Sequence, residues 1–550
     1  MVHRSLGQST PELASGFLPP PPSPCSACHL GEREDIEEAA KLRAPALEPR
    51  GLFAVRMSRR RSGSCCGASL RAAFLTLTVA LSTVLGNCSV DVSSSNELFA
   101  SSSSSTAFSR PARAEQLLVS SSLTTERTRR IPLMSVEQEL DAARAAIQRS
   151  ARRRRRVDPG RGGGNVTTAD TWFDAGVEHA LVASVYRNPA AFHRSYREME
   201  KRFKVYVYEE GEPPILHAGP CKNIYTIEGR FIEQLELMAP PQGGRRGGGA
   251  RSGVRTSDPA RAHAFFLPFS VSKMVQFAYR PNTYDTTPLR AIVADYVRVV
   301  ASRHPYWNRS AGADHFMLSC HDWGPEASRG HPELHANGIR ALCNANTSEG
   351  FRPGQDVSVP EINLYTGDMP RQLLAPAPPL ASRPFLAFFA GGRHGHARDL
   401  LLRHWKGRDP DVFPVYEHSH GQKDGPLDYY TSMRRARFCL CPSGYEVASP
   451  RVVEAMYAEC VPVILSNGYA LPFADVLQWE AFSVAVPVAD IPRLREVLER
   501  IPAPEVERLQ RGVRLVKRHF MLHQPPERLD MFHMIMHSVW LRRLNLRLDR

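Results

Sequence analysis

Arg451 and Glu454 stand three residues apart within Cys441–Val463, CPSGYEVASPRVVEAMYAECVPV, and that spacing puts both side chains on one helix face. The stretch reads as strand, loop, helix, strand. Ser449 suits the N-cap and Pro450 the first helical position. A helix N-terminus offers free N–H groups and partial positive charge, a setting for phosphate. A cation such as Arg451 is disfavoured there unless an anion neutralises it. The neighbours Val452, Val453, Ala455, Met456 and Ala458 are apolar, so Glu454 is costly without hydroxyl or cationic partners. A diphosphate on Arg451 with ribose hydroxyls on Glu454 satisfies both. So does a plain Arg451–Glu454 ion pair, and spacing alone does not separate the two.

A second turn of this kind lies in Phe385–Trp405, FLAFFAGGRHGHARDLLLRHW. A strand ends at Gly391-Gly392 and a helix begins near Ala397, so backbone N–H groups can approach an anion closely. Arg398 falls in the first turn of that helix, although Arg393 and Arg398 would serve equally as surface charges. His394 and His396 lack further ligands and read as loop histidines. A third stretch, His315–Pro325 (HFMLSCHDWGP), runs a strand into His321-Asp322. Parallel sheets place chemistry at strand C-termini, and either residue could take a proton from an acceptor hydroxyl. The alternative is a tight turn in which Asp322 caps N–H groups and Trp323 packs. Asp409-Pro410-Asp411 follows a helix in a polar connection and reads as a turn. Cys439-Leu440-Cys441 has no second pair at zinc spacing. Catalysis without a metal cofactor is expected, with Arg451, Arg398 and the helix dipole stabilising a departing diphosphate.

Positioning these turns requires strands feeding helices. Lys204–Tyr208, Ala264–Pro268, His315–Ser319, Phe385–Phe389, Phe438–Cys441 and Val461–Leu465 are apolar runs of strand length. Helical patterns such as Leu289–Val300, Arg398–Trp405 and Arg451–Glu459 alternate with them. That alternation predicts an α/β fold with helices on both faces of parallel sheets. Leu374–Pro384 (LAPAPPLASRP) divides the region into two doubly wound Rossmann-type domains facing a cleft, residues 172–375 and 376–545. Gly243–Gly253 lacks the Lys-Ser/Thr of a P-loop and is expected to be a surface insertion.

Upstream, residues 72–90 start with an uncharged run, Ala72–Gly86, after Arg59, Arg60, Arg61 and Arg71. A basic tail at 57–71 before an apolar segment predicts a signal anchor that sends the rest of the chain into the lumen. A cleaved signal peptide is the rival, since Val84 and Gly86 are small. Residues 1–56 are Pro-rich and fit neither, so Met57 is the expected start. Residues 91–171 form a luminal stem, Ser-rich at first. A helix is expected over Val136–Arg149, capped by Ser135 and Gln138. The basic run Arg152–Arg156 is a solvated linker or a protease site. Sequons stand at Asn87, Asn165, Asn308 and Asn346, the last three in loop-like contexts. Of 11 cysteines, Cys221, Cys320, Cys343, Cys439, Cys441 and Cys460 lie in the folded region. An even number permits three disulfides in an oxidising compartment.

The chain has 550 residues, 42% hydrophobic and 23% charged, an ordinary globular composition that excludes wholesale disorder. Its net charge is +14. Residues 1–170 hold 23 basic and 16 acidic side chains, so half of the excess precedes the folded region. What remains is mildly basic, with no basic helix interleaved with aromatics, which disfavours a nucleic-acid partner.

The stretches 201–221, 224–232, 264–271, 321–325, 356–364, 386–405, 441–479 and 519–545 resemble plant exostosin-like glycosyltransferases of family 47. The similarity spans roughly 172–545, with an exostosin domain over roughly 200–500, and the 441–479 block is its most specific part. It implies a type II, single-pass Golgi membrane protein of GT-B fold, catalytic region luminal, acting with inversion. The implied donor is a UDP-sugar. The acceptor would be a matrix polysaccharide (pectin or hemicellulose) or a glycoprotein glycan, and homo- or hetero-oligomers with other Golgi transferases are compatible with it. Arg451 then matches the family's phosphate-binding arginine, Glu454 its ribose-binding glutamate and Arg398 the arginine after the glycine loop. Asp322 and His321 are candidates for the base by position alone. The competing expectation is a non-catalytic partner that keeps the fold to support another transferase.

Overall fold

In the computed structural model, residues 135–155, 179–213, 216–217, 223–238, 253–417 and 428–548 are described. The extension, basic tail, anchor and Ser-rich start of the stem lie outside them, as do Asn87, Asn165, Cys221 and most of the Gly243–Gly253 insertion. Among the described residues, no helix is long and apolar enough to cross a membrane.

Each apolar run expected as a strand forms one. The first sheet comprises β1 (Val205–Val207), β2 (Ala264–Leu267), β3 (His315–Ser319), β4 (Ile339–Leu342) and β5 (Val357–Ser358), in that spatial order. The second is ordered β10-β9-β8-β6-β7, with β6 Phe385–Gly391, β7 Val415–Glu417, β8 Ala436–Pro442, β9 Val461–Leu465 and β10 Val484–Ala485. Every pairing is parallel. Strands buried on both faces need continuous apolar sequence, and β2, β3 and β9 are buried throughout. Four strands were not anticipated. β5, β7 and β10 are edge strands of two or three residues. β4 carries Arg340 in its middle, fully buried because Asp356 takes its guanidinium at 2.6 Å.

The helix α1 (Val136–Arg155) begins at the expected capping box: Ser135 N donates to Gln138 Oε1 (2.9 Å) and Gln138 N to Ser135 Oγ (3.3 Å). It differs from a free stem. Leu140 and Ala143 are fully buried, Glu137 pairs with buried Arg543, and Arg144 donates to the Leu544 and Leu546 carbonyls. The apolar stripe of α1 is covered by the rest of the fold, so the folded unit starts well before residue 172. The helices α2 (Thr226–Leu237), α3 (Val271–Ala278) and α4 (Thr287–Arg303) flank the first sheet, and α5 (Gly395–Trp405), α6 (Tyr429–Arg434) and α7 (Arg451–Tyr457) the second. The last helix, α8 (Met531–Asn545), returns to β4 and β5. Its Arg542 binds Asp475 (2.6 Å) and the Asp356 carbonyl, joining the two halves. One apolar cluster runs through both domains, with a further cluster under each sheet.

Disulfides join Cys320 to Cys343, just past the ends of neighbouring β3 and β4, and Cys439, in the middle of β8, to Cys460, just before β9. Cys441 is free and buried, which corrects the expectation that it could share in a third bridge. Asp409-Pro410-Asp411 is the turn the sequence suggests: Asp409 accepts from Val412 N (3.0 Å) and pairs with Arg495 (2.6 Å).

Candidate active site

β6 and β8 are neighbours, so the loops leaving their C-terminal ends lie side by side. The glycines make this possible. A Cβ at Gly391 would collide with Nη2 of Arg451, and one at Gly395 (φ +77°) with the Gly444 carbonyl. Gly392 continues the first loop, its carbonyl accepting from His394 N. Arg451 thus enters beneath the glycine loop, donates to the Ala390 carbonyl (2.9 Å) and stacks on the Phe389 ring at 5.0 Å. Arg398, from α5, lies against Gly444.

Neither guanidinium makes an ion pair among the described residues, and the Nε atom of each is shut off from water without a hydrogen-bond partner. Burial, followed by repulsion from Arg451, pulls the Arg398 pKa down to about 9. A multivalent anion would stabilise two poorly solvated cations held together without an ion pair. Glu454 does not pair with Arg451 within ion-pair distance. It is 4% exposed, and Tyr429 Oη donates to its Oε2 at 2.6 Å. Burial raises its pKa, opposed by Arg451 and the Tyr429 hydroxyl.

Two local expectations are corrected. α7 starts at Arg451 with Pro450, not Ser449, at the N-cap. The turn closes through the Ser449 carbonyl to Val452 N, leaving the Ser449 hydroxyl buried and uncapped. With only seven residues, α7 adds little dipole, and the guanidiniums dominate the field. α5 begins at Gly395, two residues earlier than expected, and keeps Arg398 in its first turn.

β3 ends at Ser319 and the chain runs through Cys320 into His321-Asp322. His321 is 6% exposed, takes a hydrogen bond from Trp323 N on Nδ1 (3.1 Å) and packs on Tyr225 with ring centroids 4.7 Å apart. Its backbone N–H reaches Glu228 of α2, a residue the sequence reading did not single out. The Glu228 carboxylate also accepts from Ser270 Oγ (2.5 Å), Ser272 N (3.1 Å), Ser319 Oγ (3.0 Å) and Cys320 N (2.8 Å). A lone acid in the apolar stretch IYTIEGRFI was the available signal, the same one that marks Glu454. Asp322 is half-buried, and its carboxylate and that of Glu361 both raise the Arg398 pKa. Carboxylates of the first domain therefore lie within electrostatic reach of the arginine pair. Tyr429 and Glu361 were also missed, because neither carries a local pattern.

Among the described residues, no three His, Cys, Asp or Glu side chains gather as metal ligands. His394 is the N-cap of α5 and His396 is exposed. Asn308 is exposed on a short helix. Asn346 is 8% exposed, its Oδ1 accepts from Ser348 N and Oγ, and it bridges to Tyr469.

The exostosin GT47 domain matches residues 199–501. A probable glycosyltransferase of Arabidopsis thaliana is 51% identical over 414 residues, 75% of this chain and 79% of the relative. A probable glucuronosyltransferase of Oryza sativa subsp. japonica is 33% identical, covering 62% and 80%. A probable β-1,4-xylosyltransferase of Arabidopsis thaliana is 30% identical, covering 62% and 82%. With this likeness over most of the folded region, the chain belongs to the exostosin GT47 family and is a glycosyltransferase.

Proposed function

We propose that the chain is an inverting GT-B enzyme that transfers a sugar from a UDP-sugar to a hydroxyl of a matrix polysaccharide. One observation carries the reading: Arg398 and Arg451 converge at the strand C-termini of the second sheet, each with its Nε unsatisfied and neither in an ion pair among the described residues. A diphosphate supplies that charge, and Glu454 with Tyr429 then accepts the ribose hydroxyls. The acceptor oxygen attacks the anomeric carbon while Asp322 takes its proton. The bond from that carbon to the diphosphate oxygen breaks, and UDP leaves with its negative charge held by both guanidiniums. Because arginines do this work, the reaction proceeds without a divalent cation. EDTA should leave turnover unchanged, and loss restored by Mn²⁺ would overturn this point.

The names of two relatives make UDP-xylose and UDP-glucuronic acid the first donors to test and a hemicellulose the first acceptor. A Golgi-luminal setting, with the chain anchored through residues 72–90, accords with two disulfides and an exposed Asn308 sequon. A non-catalytic partner role is disfavoured by the intact arginine pair, since a scaffold gains nothing from that repulsion. A UDP-sugar panel on the purified full chain, scored by UDP release, tests the reading. Turnover of one donor is expected, and no UDP binding and no turnover across the panel would reject it.

A further inference from the structure

A row of ring contacts leads away from the base candidates as far as Tyr279, and a backbone hydrogen bond joins Tyr284 to its end. Tyr225 packs on His321 at 4.7 Å, His321 on Trp323 at 5.6 Å, and Trp323 on Tyr279 edge-on at 4.7 Å. The Tyr279 hydroxyl accepts from Tyr284 N at 3.0 Å, and the Tyr284 side chain is 43% exposed. Topology sets the direction of the row. α4 carries the chain from this loop back toward the N-terminal end of β3, so residues 279–286 sit at the strand C-termini, the same edge as Asp322.

The outer end of the row is held in an uncommon shape. Asn282 and Tyr284 have φ of 64° and 52°, a region a bulky residue rarely adopts. Asp285 Oδ1 binds Thr287 N, and Thr283 binds the Arg280 carbonyl, which fix the loop. Tyr284 and half-buried Trp323 are thereby kept at the surface, among the exposed polar residues Arg280, Asn282 and Asp285. Aromatic faces beside polar groups suit a ligand with apolar C–H faces and hydroxyl edges, which is the chemistry of a pyranose chain. Continuity with His321-Asp322 decides the occupant: a sugar whose hydroxyl meets Asp322 must extend its remaining units somewhere, and this row starts there.

We propose that Trp323 and Tyr284 form an extended acceptor subsite on which successive sugars of the acceptor polysaccharide stack, so that the enzyme prefers long acceptors. The inference rests on the transferase reading above, and the experiment separates the two. UDP and xylo-oligosaccharides, short and long, are titrated against the full chain, Tyr284→Asn and Trp323→Ala. Asparagine tolerates the positive φ, so Tyr284→Asn keeps the loop. The expected result is affinity for the long oligosaccharide reduced about tenfold in each variant, in line with one lost stacking contact. Affinity for UDP stays unchanged in both variants, and so does the melting temperature of Tyr284→Asn, while Trp323→Ala, which loses its packing on Tyr279, melts lower. Unchanged affinity for the long oligosaccharide in a folded Tyr284→Asn variant overturns the subsite, as does a wild-type chain that binds UDP but neither oligosaccharide. Failure of the wild type to bind UDP removes instead the reading on which it rests.

Discussion

The two sheets meet with opposite treatments of charge at their C-terminal edges. In the first, Glu228 is buried and accepts five hydrogen bonds, from Ser270, Ser272, Ser319, Cys320 and His321. In the second, Arg398 and Arg451 are crowded together with their Nε atoms unsatisfied. A buried charge with every lone pair filled belongs to the scaffold, and one left short of partners is held for a ligand. The difference separates residues that residue type alone does not: the conspicuous carboxylate of the first domain positions the His321 loop, and the arginines of the second are the ones proposed to bind.

Replacing an arginine tests this most severely. Arg398→Ala should lower UDP-sugar turnover by about 10²–10³-fold, the usual effect of removing one stabilising donor from a developing anion. Thermal stability should hold or rise, because the variant removes a repulsion with Arg451. A melting temperature that falls together with turnover would make Arg398 a structural residue and erase the contrast.

Glu228→Ala should behave oppositely. Losing the acceptor of five donors should cost about 3 kcal/mol of folding stability, read by denaturant midpoint. UDP affinity of the folded fraction should remain near that of the wild type, since the donor loops hang from the other sheet. Normal stability with lost UDP affinity would place Glu228 in the binding machinery.

How much of this was legible beforehand follows from what is local. The six long apolar runs, the glycine turn at Gly391 and the Arg451–Glu454 spacing lie within single stretches of sequence, and each marks a real feature. β4 was hidden because Arg340 interrupts its apolar run, and the residue that makes Arg340 tolerable, Asp356, lies 16 positions on. Glu228 meets Ser319 and His321 from more than 90 positions away. Tyr429 reaches Glu454 across 25 positions, and without it the ion pair and the ribose ligand were equal readings of one spacing. α1 showed its capping box, but the partner that turns it from stem into body, Arg543, lies 406 positions on. Periodicity reports an element's own faces, and partnership across the fold is set by topology.

The finest test concerns Glu454, which is intermediate between the two treatments: buried and bonded once, by Tyr429. Its folded pKa lies above the ordinary carboxylate value, chiefly through burial. The neutral form is therefore favoured by folding, so its contribution to the stability of the empty protein is full at low pH and is lost as pH rises through the folded value. Ribose binding has the reverse preference, because the ionised carboxylate is the better acceptor. UDP affinity should fall as pH drops through that value and level off about tenfold lower once the carboxyl is neutral. Above that value, Glu454→Gln should bind UDP about tenfold more weakly than the wild type, the difference between a charged and a neutral hydrogen bond. The variant should also lose this part of the pH dependence while keeping the titration of the ligand's own phosphate. Calorimetric titrations of UDP at several pH values compare the two proteins directly. Parallel curves would mean that the carboxylate does not touch the ribose, and would move Glu454 to the satisfied side of the contrast, beside Glu228.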